Sequence, residues 1–414
     1  MRARLTFWGS LLAMMVFALS AQAAAQSAGR AALPPLQAPL TISQTRAPVP
    51  VLPPVLVAAP RSPQLGSGIV KPRQFTVLGA GDVLLHNGLW AEARRAARQH
   101  HRSGYYFDPI FASAVPDIKG ADLAVCHMET PYAGPGGPFT SYPVFEVPPQ
   151  IAGTLHRIGY DTCSTASNHS LDGGMPGITR TLDALDAAGV KHTGTARSAA
   201  EAATPDILTV NGVKVAQLSY AYGFNGMRRP AGKTWSANLI DVPAILAAAK
   251  SARAHGAEVV IVSLHFGTEY QQVPNAQQRA VATALLKSPD VDLILGCHAH
   301  VVQPFAQING EWVAYGMGNQ IAEQGFSKPT MDGVMPRFTF TEVKPHVFKV
   351  TKAEAIPTYT YLGAPQRLID LPRELARTDL DPRLRALYQA SWDRTARTVT
   401  ALHAPGLIVV RRER

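Results

Sequence analysis

From residue 75 onward the chain alternates apolar runs of strand length with amphipathic stretches of helix length. Phe75–Ala80, Asp122–Cys126, Ile158–Ala166, Glu258–Leu264 and Asp292–Leu295 read as buried strands. Glu258–Leu264 is the clearest, because Val259-Val260-Ile261-Val262 lacks the polar alternation of a half-exposed strand. Ile207–Val210 and Val213–Leu218 flank Asn211-Gly212, a pair that predicts a tight hairpin. Trp312–Gln320 predicts a strand running into a glycine-rich loop, and Arg337–Val343 alternates as an antiparallel strand. Helices are predicted over Leu89–His101, Pro176–Ala188 (stopped by Gly189), Val242–His255, Asn275–Lys287 and Pro382–Thr398. Strands alternating with helices make this an α/β chain.

The ends read differently. In residues 1–26, Arg2 and Arg4 precede the apolar run Leu11–Leu19 and the small-residue site Ala21-Gln22-Ala23, the pattern of a cleaved export signal. The expected location is therefore the periplasm or cell envelope. Residues 27–72 are rich in Pro and Ala and are expected to form a disordered linker. The folded domain is expected over 73–345, with 346–414 as a C-terminal extension whose helix packs on it. The formal net charge is +10, but the basic residues are scattered and form no stripe interleaved with aromatics, so nucleic acid is not an expected partner. The three cysteines, Cys126, Cys163 and Cys297, allow one bridge without choosing the pair, and no CxxC is present.

Polar residues with ligand chemistry recur where the predicted strands end, the edge at which α/β folds place their sites. Asp82 follows the first strand, with His86 one helical turn beyond. Glu129 follows the second, and nearby His127 is expected to be structural. Asn168-His169 and Asp172 follow the third. His265 closes the clearest strand, with Glu269 beyond it. His298 and His300 follow Asp292–Leu295, with Gln303 and Asn319 further on. Each alone could be a turn residue or a packed histidine. Together, Asp82, Glu129, Asn168, His265, His298 and His300 form an oxygen and nitrogen donor set without thiolate, suited to divalent Mn, Fe or Zn. The set exceeds the four ligands of one tetrahedral ion, so one or two ions are expected. His86, Asp172, Glu269, Gln303 and Asn319 are candidates for further ligation or for lining the pocket.

Five ordered motifs carry a resemblance. Met128-Glu129-Thr130-Pro131, Ser167–Asp172, His265–Tyr270, Gly296–Pro304 and Tyr315–Asn319 resemble the CapA family, linked to poly-γ-glutamate capsule synthesis and export, within the calcineurin-like metallophosphoesterase superfamily. The resemblance implies a metallophosphatase-like sandwich of two mixed β-sheets flanked by helices. It implies that Asp82 and His300 hold a first ion, that Glu129 bridges, that Asn168, His265 and His298 hold a second, and that His169 is the general acid. The superfamily's first motif separates Asp and His by one residue, whereas three lie between Asp82 and His86; the second motif lacks its Gly-Asp start. The implied activity is a metal-dependent hydrolase or transferase acting on γ-glutamyl amide or phosphoester bonds. The alternative is a non-catalytic polymer-binding partner in export or assembly. Either way the expected partners are an anionic polymer such as poly-γ-glutamate and a membrane-bound synthase or export complex.

Overall fold

The computed structural model describes residues 72–413. The expected leader (1–26) and the linker up to residue 71 lie outside the described residues. In chain order the strands are β1 (Gln74–Val83), β2 (Leu123–Met128), β3 (Thr162–Ser164), β4 (Lys191–Thr193), β5 (Asp206–Val210), β6 (Val213–Ala221), β7 (Val259–His265), β8 (Leu293–Cys297), β9 (Phe305–Ile308), β10 (Glu311–Ala314), β11 (Asn319–Ile321), β12 (Asp332–Lys344), β13 (Val347–Tyr361), β14 (Arg367–Asp370) and β15 (Leu407–Val409). One sheet has the order β14-β13-β12-β1-β2-β3-β4, with β11 also on β1 and β15 on β13. The other has the order β5-β6-β7-β8-β10-β9. Both are mixed: β1 is parallel to β2 but antiparallel to β12, and β6 is parallel to β7 but antiparallel to β5.

The period of two along a strand explains the sandwich. Val77 and Val125 of the first sheet pack with Val259, Ile261, Leu293 and Leu295 of the second between the two layers. Their neighbours Leu78 and Ala124 turn the other way, onto a cluster with Leu89, Ile151, Leu155 and Leu185. On the far face of the second sheet Val260, Val262 and Ile294 meet Ile245, Ala249 and Leu285. Both faces of the central strands are thus covered, which is why they read as unbroken apolar runs. Each fully buried Val, Leu or Ile contributes about 1.5–3 kcal/mol.

Three expectations change. The run Ile158–Ala166 is not one strand: helix Gln150–Ile158 ends on left-handed Gly159 (φ 107°), and only Thr162–Ser164 pairs. The strand read at Trp312 does run into a glycine-rich loop, but Asn319–Gln320 already belongs to a new strand: β10 lies in the second sheet and β11 in the first, so the chain crosses between layers at Tyr315–Gly318. Residues 346–414 are not an appendage to a domain ending at 345. β13 pairs with β12 along nearly its whole length, β14 and β15 extend the same sheet, and Tyr388 and Trp392 of helix Pro382–Val399 pack with Tyr359 and Ile369. Cys126 and Cys163 sit opposite each other on parallel neighbours β2 and β3, Cα atoms 4.5 Å apart, and form a disulfide; Cys297 is free and buried.

Candidate metal centre

The parallel strands β1, β2, β3, β7 and β8 end at one rim where the two sheets meet. Asp82, near the end of β1, is held by a tight backbone approach: its N–H donates to the Gly318 carbonyl at 3.0 Å, and a Cβ on the preceding Gly81 would lie 1.9 Å from that oxygen. The loop after β8 curls back over Asp82. His298 (φ 93°) and His300 (φ 54°) are both left-handed, which turns their two side chains into the same space. Non-glycine residues enter that region at about 1–2 kcal/mol each, and such strain gathers at functional sites. The His298 N–H donates to both Asp82 oxygens (3.2 and 3.3 Å), and His300 Nδ1 lies 3.1 Å from Asp82 Oδ2.

Glu129, just past β2, faces the same space. It is 1% exposed, and among the described residues neither carboxylate oxygen has a hydrogen-bond partner. His300 Nε2 lies 3.7 Å and His265 Nε2 3.9 Å from Oε1. His265 Nε2 also lies 2.8 Å from Asn168 Oδ1, and Asn168 Nδ2 donates to Asn225 Oδ1 at 3.1 Å. The buried Nδ1 of His298 has no hydrogen-bond partner among the described residues. Asp82, Glu129 and His300 each offer an atom within 4.8 Å of the other two, as do Glu269, His298 and His300. Buried acceptors without donors are costly, and a cation resolves the deficit, so this donor set fits a divalent ion. His169 stands beside the set: its Nδ1 is 2.7 Å from Asp172 Oδ2, which also accepts the Phe145 N–H at 2.7 Å. An open cleft of about 390 Å³ leads in, lined by His86, Asn168, His169, Asp172, Glu269 and His300, with Tyr142, Phe145 and Tyr270 as apolar walls.

Charge follows from burial and proximity. Burial pushes Glu129 up to about 8, against the pull of His300. For His300, burial opposes the charged ring, but Glu129 and Asp82 outweigh it and raise it to about 10. Burial likewise opposes the Asp82 carboxylate, which His300 nonetheless holds below its ordinary value. Burial drives His298 down to about 3 and His127 down to about 4. Burial opposes the charged ring of His169, but Asp172 and Glu129 together outweigh it and raise it.

Not every candidate joins the cluster. His86 points its Nδ1 at the Glu323 N–H (3.2 Å) and packs edge-on against Phe145, so it lines the cleft away from Asp82. Gln303 does not face the cleft: Gln278 donates to its carbonyl oxygen at 2.7 Å and its amide donates to the Gln271 carbonyl at 2.8 Å. Asn319 backs the set, its Oδ1 3.0 Å from His300 Nδ1. The Cys297 thiol lies within 4.8 Å of donor atoms of Asp82 and His127, but burial and the two carboxylates push it well above its ordinary value, so it stays a thiol.

Residues 76–324 match the family described as bacterial capsule synthesis protein PGA_cap. The chain belongs to that family. All six residues of the expected donor set fall inside the matched stretch. The chain is 29% identical over 202 residues to the PGA biosynthesis protein CapA of Bacillus subtilis (48% of this chain, 51% of that one). It is 29% identical over 188 residues to the capsule biosynthesis protein CapA of Bacillus anthracis (44% and 45%). The chain thus matches about half the length of these relatives. Among solved structures, the calcineurin-like phosphoesterase YfkN from Bacillus subtilis aligns over 78% of this chain and 98% of that chain, at 15% identity and a TM-score of 0.40.

His127, expected to be structural, is buried against the donor set: its Nε2 is 2.9 Å from His265 Nδ1 and 3.7 Å from Asp82 Oδ1. Its position two residues before Glu129 puts it on the same side of an extended strand.

Proposed function

We propose that the protein is an exported, metal-dependent hydrolase or transferase of capsule metabolism, acting on γ-glutamyl amide or phosphoester bonds of an anionic envelope polymer such as poly-γ-glutamate. One observation carries the metal reading: among the described residues both oxygens of the buried Glu129 lack donors, while His300 Nε2 and His265 Nε2 lie 3.7 and 3.9 Å from its Oε1. Asp82 and His300 would hold one Mn, Fe or Zn ion, Asn168, His265 and His298 a second, with Glu129 between them. Such ions supply Lewis acidity that polarises a scissile carbonyl or phosphoryl group and acidifies water.

The remaining steps belong to side chains. Asp172 and Glu129 shift His169 toward its protonated form against burial, and Asp172 fixes its ring through Nδ1. That leaves Nε2 to protonate the departing nitrogen or oxygen. Tyr142, Phe145 and Tyr270 narrow the approach to the donor set. Names of the relatives support the polymer. The Arg2, Arg4 and Ala21-Gln22-Ala23 pattern supports export, as does the Cys126 and Cys163 disulfide, a bond of oxidising compartments. Among the described residues no helix is long and apolar enough to cross a membrane. A membrane-bound synthase or export complex is the partner consistent with this reading.

The test is turnover of poly-γ-glutamate and of an aryl phosphate by purified protein loaded with Mn(II) or Zn(II). His169→Gln is expected to lower turnover about 10²–10⁴-fold with the bound metal unchanged. Metal-loaded protein inert on both substrates overturns the catalytic reading in favour of a binding partner.

A further inference from the structure

A chain of buried polar groups runs behind the candidate metal centre. Ser164 Oγ lies 2.8 Å from His127 Nδ1, His127 Nε2 lies 2.9 Å from His265 Nδ1, and His265 Nε2 lies 2.8 Å from Asn168 Oδ1. All four residues are nearly inaccessible, with His127 2% and Ser164 1% exposed, so bulk water does not stand in for any member. The imidazoles of His127 and His265 stack, centroids 4.9 Å apart and planes 28° from parallel.

The two links made by His127 can each form in either sense, because a neutral imidazole is a donor at one nitrogen and an acceptor at the other, whereas the Asn168 oxygen only accepts. In the first sense the Ser164 hydroxyl donates to His127 Nδ1, His127 Nε2–H donates to His265 Nδ1, and His265 Nε2–H donates to Asn168 Oδ1. In the second, His265 Nδ1–H donates to His127 Nε2, His127 Nδ1–H donates to Ser164 Oγ, and the hydroxyl turns to the Cys126 carbonyl, 3.3 Å away. Both arrangements are neutral and leave no buried donor unpaired. They differ at one place that matters. Only the second leaves the Nε2 lone pair of His265 free on the side of Asn168 and Glu129. Asn168 keeps its oxygen toward that nitrogen in both, because its amide group donates to Asn225.

We propose that His127, backed by Ser164, is a positioning residue: it accepts the Nδ1 proton of His265 so that His265 can turn its Nε2 lone pair to an ion without stranding a buried N–H. This rests on the metal reading above. It identifies the residue behind a ligand, where partners set ring tautomer and ligand basicity. His127 suits the task because it can give or take a hydrogen bond at Nε2, so the same residue satisfies the ion-free and the ion-bound arrangement.

The test uses full-length protein stripped with chelator and titrated with Co(II) or Zn(II), following ion stoichiometry and the visible absorption of Co(II). Wild type is expected to take up two ions. His127→Phe keeps the ring packing but offers no acceptor, and is expected to weaken the second ion about 10–100-fold while the first, on Asp82 and His300, is unchanged. His127→Gln restores an acceptor and is expected to recover most of that loss; Ser164→Ala is expected to give an intermediate loss. A structure-only role for His127 would affect both ions alike and would not be rescued by the amide. Independently of variants, the ¹⁵N shifts of histidine-labelled wild type report the tautomer of His265, expected to pass from Nε2–H to Nδ1–H on adding Zn(II). The proposal is overturned if His127→Phe binds both ions as wild type does, if His127→Gln fares no better, or if His265 keeps Nε2–H with zinc bound. Wild type that binds no ion overturns the metal reading itself, a result distinct from any of these.

Discussion

Replacing Gly81 by alanine probes how the end of β1 is placed. The added Cβ would lie 1.9 Å from the Gly318 carbonyl oxygen and 2.9 Å from its carbon, both backbone atoms. Cβ contacts under 3.0 Å are essentially never seen, so the two segments must part by about 1 Å. The same carbonyl accepts the Asp82 N–H, so that hydrogen bond stretches as they part. Overpacking of this kind costs about 1–3 kcal/mol, and losing a backbone hydrogen bond adds about 1 kcal/mol. The expected loss is therefore about 2–4 kcal/mol. A constellation of ligands tolerates only about 0.5 Å of displacement, so ion affinity should fall with stability. Gly79→Ala, two residues earlier on β1, is the control. Its Cβ meets the tips of Leu295 and Met317 at 3.1 Å, flexible side chains that can give way, so a change of less than about 1 kcal/mol is expected. Urea unfolding of both variants, compared at equal m-values, gives the two numbers. Equal midpoints for Gly81→Ala and Gly79→Ala would refute the reasoning.

Three further outcomes are expected. Mn(II) or Zn(II) at about 100 times its dissociation constant should stabilise wild type by about 2.7 kcal/mol, and Glu129→Ala should abolish that gain; thermal melts with and without chelator check this. Asp206 is raised by burial from 3.8 to about 6, and one of its oxygens has no hydrogen-bond partner among the described residues. Because the folded state then holds its proton more tightly than the unfolded chain, stability falls as pH rises from about 4 to about 6 and stays lower above. Asp206→Asn should match wild type near pH 4 and exceed it at pH 8 by on the order of 1–3 kcal/mol in urea midpoints. Thiol titration of unreduced protein should find one reactive cysteine, Cys297, and only after denaturation, since it is buried.

Much of the local structure was legible in the chain. The Asn211-Gly212 turn forms with both residues at positive φ, Gly189 ends its helix at φ 81°, and Asn275 with Gln278 makes a capping box. These features depend on residues within one turn of each other, so a short window contains their whole cause. The donor types at the strand ends were legible for a similar reason: carboxylate, amide and imidazole chemistry belongs to the side chain itself.

Membership of a sheet was not legible, nor were the partners across it. β10 and β11 are separated by four residues yet join different layers, and the strand expected to begin at Ile158 is shortened by the helix before it. The pairing of Cys126 with Cys163, the contact of His127 with His265, and the merging of β13 with β12 each depend on register between strands. Register is decided by how two covered faces share one interior, an energy spread over side chains far apart in the chain. The residue types were therefore set by the sequence alone, while the folded sandwich decided which of them meet.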